Sequence, residues 1–234
     1  MNERNFVIVG GSSGIGLGLV QRLLAAGDRV TVLSRHPREL ADLPGVTHVA
    51  IDVTQTEVDK TMLPESIAGL AYCPGSINLK SFRGLTPAAF REDFELNVVG
   101  AVKVIQAALT GLKQAKHSSV LLFSTVAVGQ GMPMHASIAA SKGAIEGLTR
   151  TLAAELAPDV RFNCIAPALT DTPLTARFFS SDEKTAVAAQ RYPLKRTGTV
   201  SDIAALGHFL LTDSSGWITG QVLGVDGGMS TLRV

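Results

Sequence analysis

A glycine-rich run near the start of the chain has the residue types and the spacing to bind a phosphate. Gly10, Gly14 and Gly16 follow four apolar residues, and a helix-forming segment comes directly after them. A strand that turns sharply into a helix points free backbone N–H groups and the positive end of the helix dipole at one place, which suits a pyrophosphate. A glycine cluster alone also marks ordinary turns, but after a strand it predicts a dinucleotide site. The expected contacts in this loop are Gly10, Ser12, Ser13, Gly14, Ile15 and Gly16.

The end of the second predicted strand carries groups that distinguish NADP from NAD. Sites for NAD usually have Asp or Glu here, to bind the ribose hydroxyls, whereas this chain has Ser34 and Arg35 and no carboxylate. A guanidinium can hold a 2′-phosphate with two charge-assisted hydrogen bonds. The same residues also fit a basic, solvated turn. We favour a site that prefers NADP(H) over NAD(H).

The elements that must position these groups alternate along the chain between short apolar strands and helices. The predicted strands are residues 6–9, 30–33, 48–51, 69–72, 119–123, 160–165 and 222–225, and the helical stretches include 87–113, 136–157 and 201–212. Uninterrupted apolar strands that alternate with helices indicate a parallel sheet covered on both faces. Without an internal repeat or linker, the sequence predicts a single α/β domain over residues 1–234, with the irregular segment 170–198 as a substrate lid.

The composition limits the class of protein. A chain of 234 residues with 46% hydrophobic and 18% charged residues can bury the core of one domain. Its net charge of +1 gives no indication of a nucleic-acid or membrane partner, and no apolar stretch approaches the ~18 residues of a membrane span. Two cysteines and scattered histidines predict neither a disulfide scaffold nor a metal site. The chain runs directly into a strand without room for a signal peptide, so we expect a cytoplasmic protein.

Further landmarks follow the glycine run in a characteristic order. They are Asp52-Val53, Asn97, Ser141-Lys142, Asn163 to Pro167, Thr172-Pro173 and Gly220 to Gly228. Together with the glycine run they resemble the short-chain dehydrogenase/reductase family over nearly the whole chain. The resemblance implies a doubly wound Rossmann fold of about seven parallel strands, with a nicotinamide dinucleotide at the carboxyl ends of the strands.

The resemblance also implies which residues contact the cofactor. Asp52 would bind the adenine amino group, and Val53 would contribute its backbone. The family usually carries Asn-Asn-Ala-Gly beside the adenosine ribose, and this chain has Tyr72 to Gly75 at that position. Only Gly75 agrees with the family, so we expect Tyr72 and Cys73 to be packing residues. The remaining implied contacts are Lys142 to the nicotinamide ribose, Thr172 to the carboxamide, and Pro167.

The catalytic tetrad of the family, which is Asn, Ser, Tyr and Lys, is incomplete here. Asn97 and Lys142 match their positions, and Thr125 stands in the position of the serine. The tyrosine, which exchanges a proton with the substrate oxygen, should lie four residues before the lysine, and this chain has Ile138 there. Threonine can replace the serine hydroxyl, but isoleucine cannot donate a proton.

One histidine is a candidate for the missing acid. His135 lies seven residues before Lys142, which is the spacing that enoyl reductases, a divergent branch of the family, use for their tyrosine. Seven residues are about two helical turns, so the two side chains would share a helix face, and the pKa of histidine suits proton transfer near neutrality. The alternative is that His135 merely caps or precedes the helix.

Three functions are compatible with these residues. The first is an NADP(H)-dependent oxidoreductase that transfers a hydride to a small apolar carbonyl or enone with a non-standard proton donor. The second is a catalytically impaired NADP(H)-binding sensor, scaffold or partner subunit, and the third is non-redox chemistry on the same fold. Small residues on the helix after His135 fit both packing on the sheet and pairing between subunits, so we expect a homo-oligomer, a tetramer or else a dimer.

Overall fold

The computed structural model describes residues 3–40 and 43–233 and builds them around one parallel sheet. The strands are β1 (Asn5–Val9), β2 (Arg29–Ser34), β3 (Val46–Ala50), β4 (Gly69–Tyr72), β5 (Ser118–Phe123), β6 (Val160–Pro167) and β7 (Val222–Val225). They pair in the order β3-β2-β1-β4-β5-β6-β7, and every neighbouring pair is parallel. The structure therefore confirms the predicted α/β fold of the Rossmann type with seven strands.

The helices follow the predicted stretches closely. They are α1 (Gly14–Ala25), α2 (Pro87–Phe94), α3 (Gly100–Ala115), α4 (Val126–Gln130), α5 (Ala136–Leu156), α6 (Asp182–Ala189) and α7 (Val200–Leu211). A π-helical turn at Glu95–Val99 joins α2 to α3, so the predicted helix 87–113 is one long run with a widened turn in its middle. That turn contains Asn97 and matters for the site described below.

Side chains alternate between the two faces of the sheet, which explains why helices cover both. In β1, Phe6 and Ile8 belong to the hydrophobic cluster under α1 and α7. Val7 and Val9 belong to the opposite cluster, under α3 and α5. All four side chains are buried. A strand with period-two side chains can be apolar throughout only when both faces are covered.

One helical run is longer and more apolar than the sequence analysis allowed. Pro87–Ala115 meets the length and composition of a membrane span, and half of its apolar window is buried inside the fold. The expectation that no stretch approaches such a length was therefore wrong. Within the described residues, α3 packs against β5 and contributes Val104, Ala108 and Leu112 to the core, which is the pattern of a core helix.

The segment 170–198 is more ordered than its sequence indicated. It contains a 3₁₀ turn at Ala176–Phe178 and the helix α6. Its two ends are held together, because Asp171 N–H donates to the Gly198 carbonyl and Gly198 N–H donates to the Leu169 carbonyl. The segment is thus a compact excursion that leaves the sheet after β6 and returns to the same point before α7.

Replacing Phe162 with alanine tests the central packing of the sheet. Phe162 is fully buried in β6, whereas Phe82 is 75% exposed. We expect Phe162→Ala to lower the free energy of unfolding by about 3–5 kcal/mol because it leaves a cavity in a packed core. The matched variant Phe82→Ala should change it by less than about 0.5 kcal/mol. Urea denaturation measures both, and equal effects would contradict the described core.

Candidate active site

A groove of about 560 Å³ lies at the carboxyl ends of the strands, where the strand order reverses between β1 and β4. Such a reversal opens a crevice between the loops that leave neighbouring strands in opposite directions. Most residues predicted to contact a nucleotide line it. They are Gly10, Ser12, Ser13, Gly14, Ile15, Gly16, Ser34, Arg35, Asp52, Val53, Gly75 and Thr172. Pro167, Lys142, Asn97, Thr125 and His135 are not part of its lining.

The glycine turn has the backbone geometry that its sequence predicts. Gly10 and Gly14 have φ angles of +73° and +54°, a region that side chains disfavour. A Cβ on Gly16 would lie 2.3 Å from the Gly10 carbonyl oxygen, so only glycine lets α1 begin this close to β1. The α1 N-terminus consequently faces the groove.

The end of β2 presents a free guanidinium and an occupied hydroxyl. Among the described residues, Arg35 has no carboxylate within the 4.0 Å of a salt bridge. The Ser34 hydroxyl donates to the His36 carbonyl at 2.9 Å and lies 3.0 Å from His48 Nε2. Because a hydroxyl has one proton, Ser34 in this arrangement has none left for a phosphate. Arg35 is therefore the group that is available to an anion here.

The residues after β3 and β4 form one side of the groove, where the resemblance to the family leads us to expect the adenosine. Asp52 Oδ1 accepts hydrogen bonds from the Thr54 hydroxyl at 2.7 Å and the Thr54 N–H at 3.0 Å, which hold the pKa of Asp52 below its usual value. Val53 is buried. The Tyr72 hydroxyl donates to the Leu96 carbonyl at 2.6 Å and is buried in the core, so Tyr72 packs as predicted. Cys73 packs against the hydrophobic cluster under α1 and α7, as predicted, and also lines the groove.

Two polar side chains converge on Gly75 at the other end of the groove. A Cβ on Gly75 would lie 3.6 Å from Asn97 Oδ1 and 3.7 Å from Lys142 Nζ. Asn97 is fully buried, and its Oδ1 has no hydrogen-bond partner among the described residues. Burial lowers the pKa of Lys142 to about 8. An unpaired buried oxygen is costly unless a ligand or water donates to it.

The other predicted catalytic residues surround α5. Thr125 caps α4, and its Oγ1 accepts the Ala127 N–H at 3.3 Å, which leaves the hydroxyl proton free. Ile138 is buried on α5. His135 is half-buried at the N-terminus of α5, and its Nδ1 donates to the Pro133 carbonyl at 2.7 Å. His135 therefore directly precedes α5, but its side chain makes no capping hydrogen bond to the helix. Its Nε2 has no hydrogen-bond partner among the described residues.

The start of the lid segment lies against the glycine turn. A Cβ on Gly14 would be 3.5 Å from Thr172 Cβ and 3.7 Å from Pro173 Cδ. The Thr172 hydroxyl lies 3.0 Å from the Thr175 hydroxyl. Pro167 ends β6 beside Val225. Thr172 thus faces the phosphate loop of the groove, while Pro167 remains in the sheet.

Sequence reasoning missed a buried polar network next to Asn97. It consists of Asp93, Ser76 and Ser137, which are linked to one another and to Asn97 by hydrogen bonds. The three residues come from α2, the loop after β4 and α5, so no spacing along the chain connects them. Their only signal is that Asp93 and Ser137 are polar residues on helix faces that the core covers.

The groove fits a nicotinamide dinucleotide when its two ends are taken together. At one end, the turn at Gly16 leaves no room for a side chain, and Arg35 is a cation without a salt-bridge partner in the part of the chain that the structure describes. At the other end, Asn97 Oδ1 needs a donor, and Lys142 Nζ points at the same place. These are the partners that a pyrophosphate, a ribose phosphate and ribose hydroxyls require.

Comparison with known proteins agrees with this geometry. The family model described as Enoyl-(Acyl carrier protein) reductase matches residues 9–230. The L-xylulose reductase of Bos taurus is 30% identical over 237 residues, which cover 96% of each chain. The 3-oxoacyl-[acyl-carrier-protein] reductase MabA of Mycobacterium tuberculosis is 31% identical over 235 residues, 97% of this chain and 93% of that protein. The chain belongs to the short-chain dehydrogenase/reductase family.

A solved structure supports the same assignment. An oxidoreductase of the short-chain dehydrogenase/reductase family from Burkholderia thailandensis superposes with a TM-score of 0.89 at 28% identity, covering 100% of this chain and 95% of that one. Members of the family are oxidoreductases that use nicotinamide cofactors and act on small molecules. The resemblance that the sequence indicated is thus confirmed at the level of the family.

The close contact of α1 with β1 can be tested with a pair of glycine variants. We expect Gly16→Ala to lower the free energy of unfolding by about 1–3 kcal/mol, because its Cβ would overlap the Gly10 carbonyl. The control Gly147→Ala places a Cβ in open space on α5, so it should raise that free energy by about 0.5–1 kcal/mol. Thermal and urea unfolding measure both, and a neutral Gly16→Ala would refute the described turn.

Proposed function

We propose that this protein is an NADP(H)-dependent oxidoreductase that transfers a hydride to a small apolar carbonyl or enone with a non-standard proton donor. The observation that carries the proposal is the convergence of Asn97 Oδ1 and Lys142 Nζ on Gly75, at the far end of a groove that begins at Arg35. When bound, the nicotinamide supplies the hydride. The protein residues hold the dinucleotide, orient the substrate and manage the proton.

The preference for NADP(H) over NAD(H) is supported by the charge at the end of β2. Arg35 lines the groove beside Ser34, and Arg38 and His36 line it too. The end of β2 carries these basic groups and no carboxylate, so it attracts a 2′-phosphate and lacks the acidic residue that binds the ribose hydroxyls in NAD sites. The carboxylate that lines the groove, Asp52, follows β3 instead.

Replacing Arg35 with alanine tests this preference. We expect Arg35→Ala to weaken NADPH binding by about 10- to 100-fold, since a hydrogen bond to a charged group contributes about 1.5–3 kcal/mol. NADH binding should change little, because NADH lacks the phosphate. Arg91→Ala, an exposed arginine on α2 outside the groove, is the control. Calorimetric titration with both nucleotides measures the two affinities. Equal losses of affinity for NADPH and NADH in Arg35→Ala would argue against the preference.

The proton donor must differ from the tyrosine of the family because Ile138 has no acidic group. Lys142 and Thr125 remain available near the nicotinamide end by the resemblance, Lys142 to hold the ribose and Thr125 to donate a hydrogen bond to the substrate oxygen. His135, seven residues before Lys142, is the first candidate acid. With Nδ1 donating to Pro133, its Nε2 carries the transferable proton in the imidazolium form. An activated alkene also needs less immediate protonation than a ketone, so water is the second candidate.

Two variants distinguish these donors. If His135 is the acid, His135→Asn should reduce turnover of a carbonyl substrate by about 100-fold or more, while the exposed control His117→Asn leaves it unchanged. Ile138→Tyr restores the usual acid and should raise turnover of simple ketones by about 100-fold or more. NADPH oxidation at 340 nm with panels of ketones, quinones and enones is the measurement.

The outcome also separates the oxidoreductase from its alternatives. Unchanged turnover in His135→Asn would exclude His135 and favour water as the donor. NADPH binding without oxidation of any substrate, in the native protein and in Ile138→Tyr, would instead favour a catalytically impaired NADP(H)-binding sensor, scaffold or partner subunit.

The whole chain 1–234 would act as one domain with segment 170–198 as the lid, and exposed Leu174 and Met134 give its neighbourhood an apolar surface. Small residues on α5 favour a homo-oligomer, a tetramer or a dimer. We place the protein in the cytoplasm, with no nucleic-acid or membrane partner.

A further inference from the structure

A second cavity, of about 110 Å³, lies at the carboxyl ends of β6 and β7. Ala168 and Val225 contribute to its lining from the ends of the strands, and Tyr192 and Leu194 contribute from the end of the lid. Among the described residues, none that lines this cavity also lines the nucleotide groove. The cavity is therefore a separate space between the lid and the sheet.

Hydrogen bonds hold the end of the lid against the ends of the strands around this cavity. Leu194 N–H donates to the Gly227 carbonyl at 3.2 Å, and Gly198 N–H donates to the Leu169 carbonyl at 3.0 Å. The Tyr192 hydroxyl oxygen accepts a hydrogen bond from Leu169 N–H at 3.3 Å. The cavity is thus a space enclosed between segments that are bonded to each other.

The Tyr192 hydroxyl has a proton to donate beside this cavity. Tyr192 is only 5% exposed, and burial raises its pKa, so it keeps its proton at neutral pH. Its oxygen accepts from Leu169, but its proton has no acceptor in the part of the chain that the structure describes. Ala168 and Gly198, which adjoin Leu169, both line the cavity. Because a buried donor without an acceptor is costly, the hydroxyl favours a molecule that accepts its proton.

The charged groups around the cavity are already engaged with the protein. The Arg196 guanidinium donates to the two Asp202 oxygens at 2.7 and 2.8 Å. The Asp226 carboxylate accepts Gly228 N–H at 2.8 Å and Ser230 N–H at 3.0 Å. A charged ligand would have to compete with these bonds, so the cavity favours a neutral one.

The size and the remaining lining of the cavity favour a small and mostly apolar molecule. The carbonyls of Ala168, Val225 and Gly198 already accept hydrogen bonds, which leaves few partners for water, since a buried water needs about two to four. Leu194 is 65% exposed at the edge of the cavity. An apolar cavity of about 150 Å³ binds benzene, so this one fits a molecule of about five non-hydrogen atoms.

We propose that this cavity is a binding site for a small neutral molecule, with an apolar body and one ether or carbonyl oxygen that accepts the Tyr192 hydroxyl proton. The bound molecule covers Leu194 and fills the space between the lid and the strand ends, which stabilises the end of the lid in this position. The inference goes beyond the proposed function and does not depend on it, because neither a nucleotide nor hydride transfer enters the argument.

Tetrahydrofuran is the probe that tests this site, because it is a five-membered ring with one ether oxygen and has no carbonyl group to reduce. Cyclopentane is the matched probe without the oxygen. We expect tetrahydrofuran to shift the backbone amide NMR signals of Leu169, Gly198 and Gly227 saturably. Saturating NADP⁺ should leave these shifts in place, since the groove and the cavity share no lining residue among those described.

Two variants separate the hydrogen bond from the apolar contact. Tyr192→Phe should weaken tetrahydrofuran binding by about fivefold and leave cyclopentane binding unchanged, whereas a merely structural effect would weaken both alike. Leu194→Ala removes apolar contact and should weaken both probes by about threefold. The control Leu174→Ala replaces a similarly exposed leucine that lines the groove, so it should change neither affinity.

Several results would overturn the proposal. They are the absence of a saturable shift at the three amides in the native protein, shifts that NADP⁺ abolishes, and equal losses for the two probes in Tyr192→Phe. If Tyr192→Phe does not fold, the native titration and Leu194→Ala decide instead. Equal tetrahydrofuran affinities of Leu194→Ala and the native protein would then overturn the site.

Discussion

The approach of α1 to β1 at the first turn is the constraint on which the site depends. A Cβ on Gly16 would lie 2.3 Å from the Gly10 carbonyl oxygen. Because glycine has no Cβ, α1 can begin directly beside the end of β1. This position directs the α1 N-terminus into the crevice that the reversal of strand order opens. The lid segment then closes against the same turn, with Thr172 beside Gly14. A helix that started one residue later or farther away would leave this end of the groove without the free N–H groups of the α1 N-terminus.

The fold could be predicted because its signals are local and repeated. The strands are short apolar runs that alternate with helical stretches, and a parallel sheet covered on both faces is the arrangement that buries such strands. The predicted strand 160–165 ends two residues short, since Pro167 and Ala166 still pair with β7. The π-helical turn at Glu95–Val99 and the helix α6 within the lid were not predictable, because tertiary packing rather than local propensity stabilises short or irregular turns.

The same distinction applies to the site: residues that follow strands could be predicted from the sequence, and residues brought together only by the fold could not. The nucleotide residues lie in loops directly after strands, so their order along the chain already indicates a common edge of the sheet, and twelve of them line one groove. The Asp93 network could not be predicted because it joins residues that are 17 to 44 positions apart. Ser34 shows the opposite error: its residue type suits a phosphate, but its proton is donated to the His36 carbonyl.

The free-energy cost of burying the Lys142 ammonium favours a site that binds a ligand over a site that has lost this ability. Burying an ammonium removes its hydration, and no carboxylate among the described residues compensates it within salt-bridge distance. Asn97 adds a second unpaired group, an oxygen with no donor. Neither group stabilises the folded protein in this arrangement, and both point at one place beside Gly75. A molecule with hydroxyl groups at that place would satisfy both, so binding such a molecule would recover free energy that these residues take from folding. By the resemblance to the family, Ile138 stands where a proton donor would be expected, but it is not one of the two groups that converge beside Gly75.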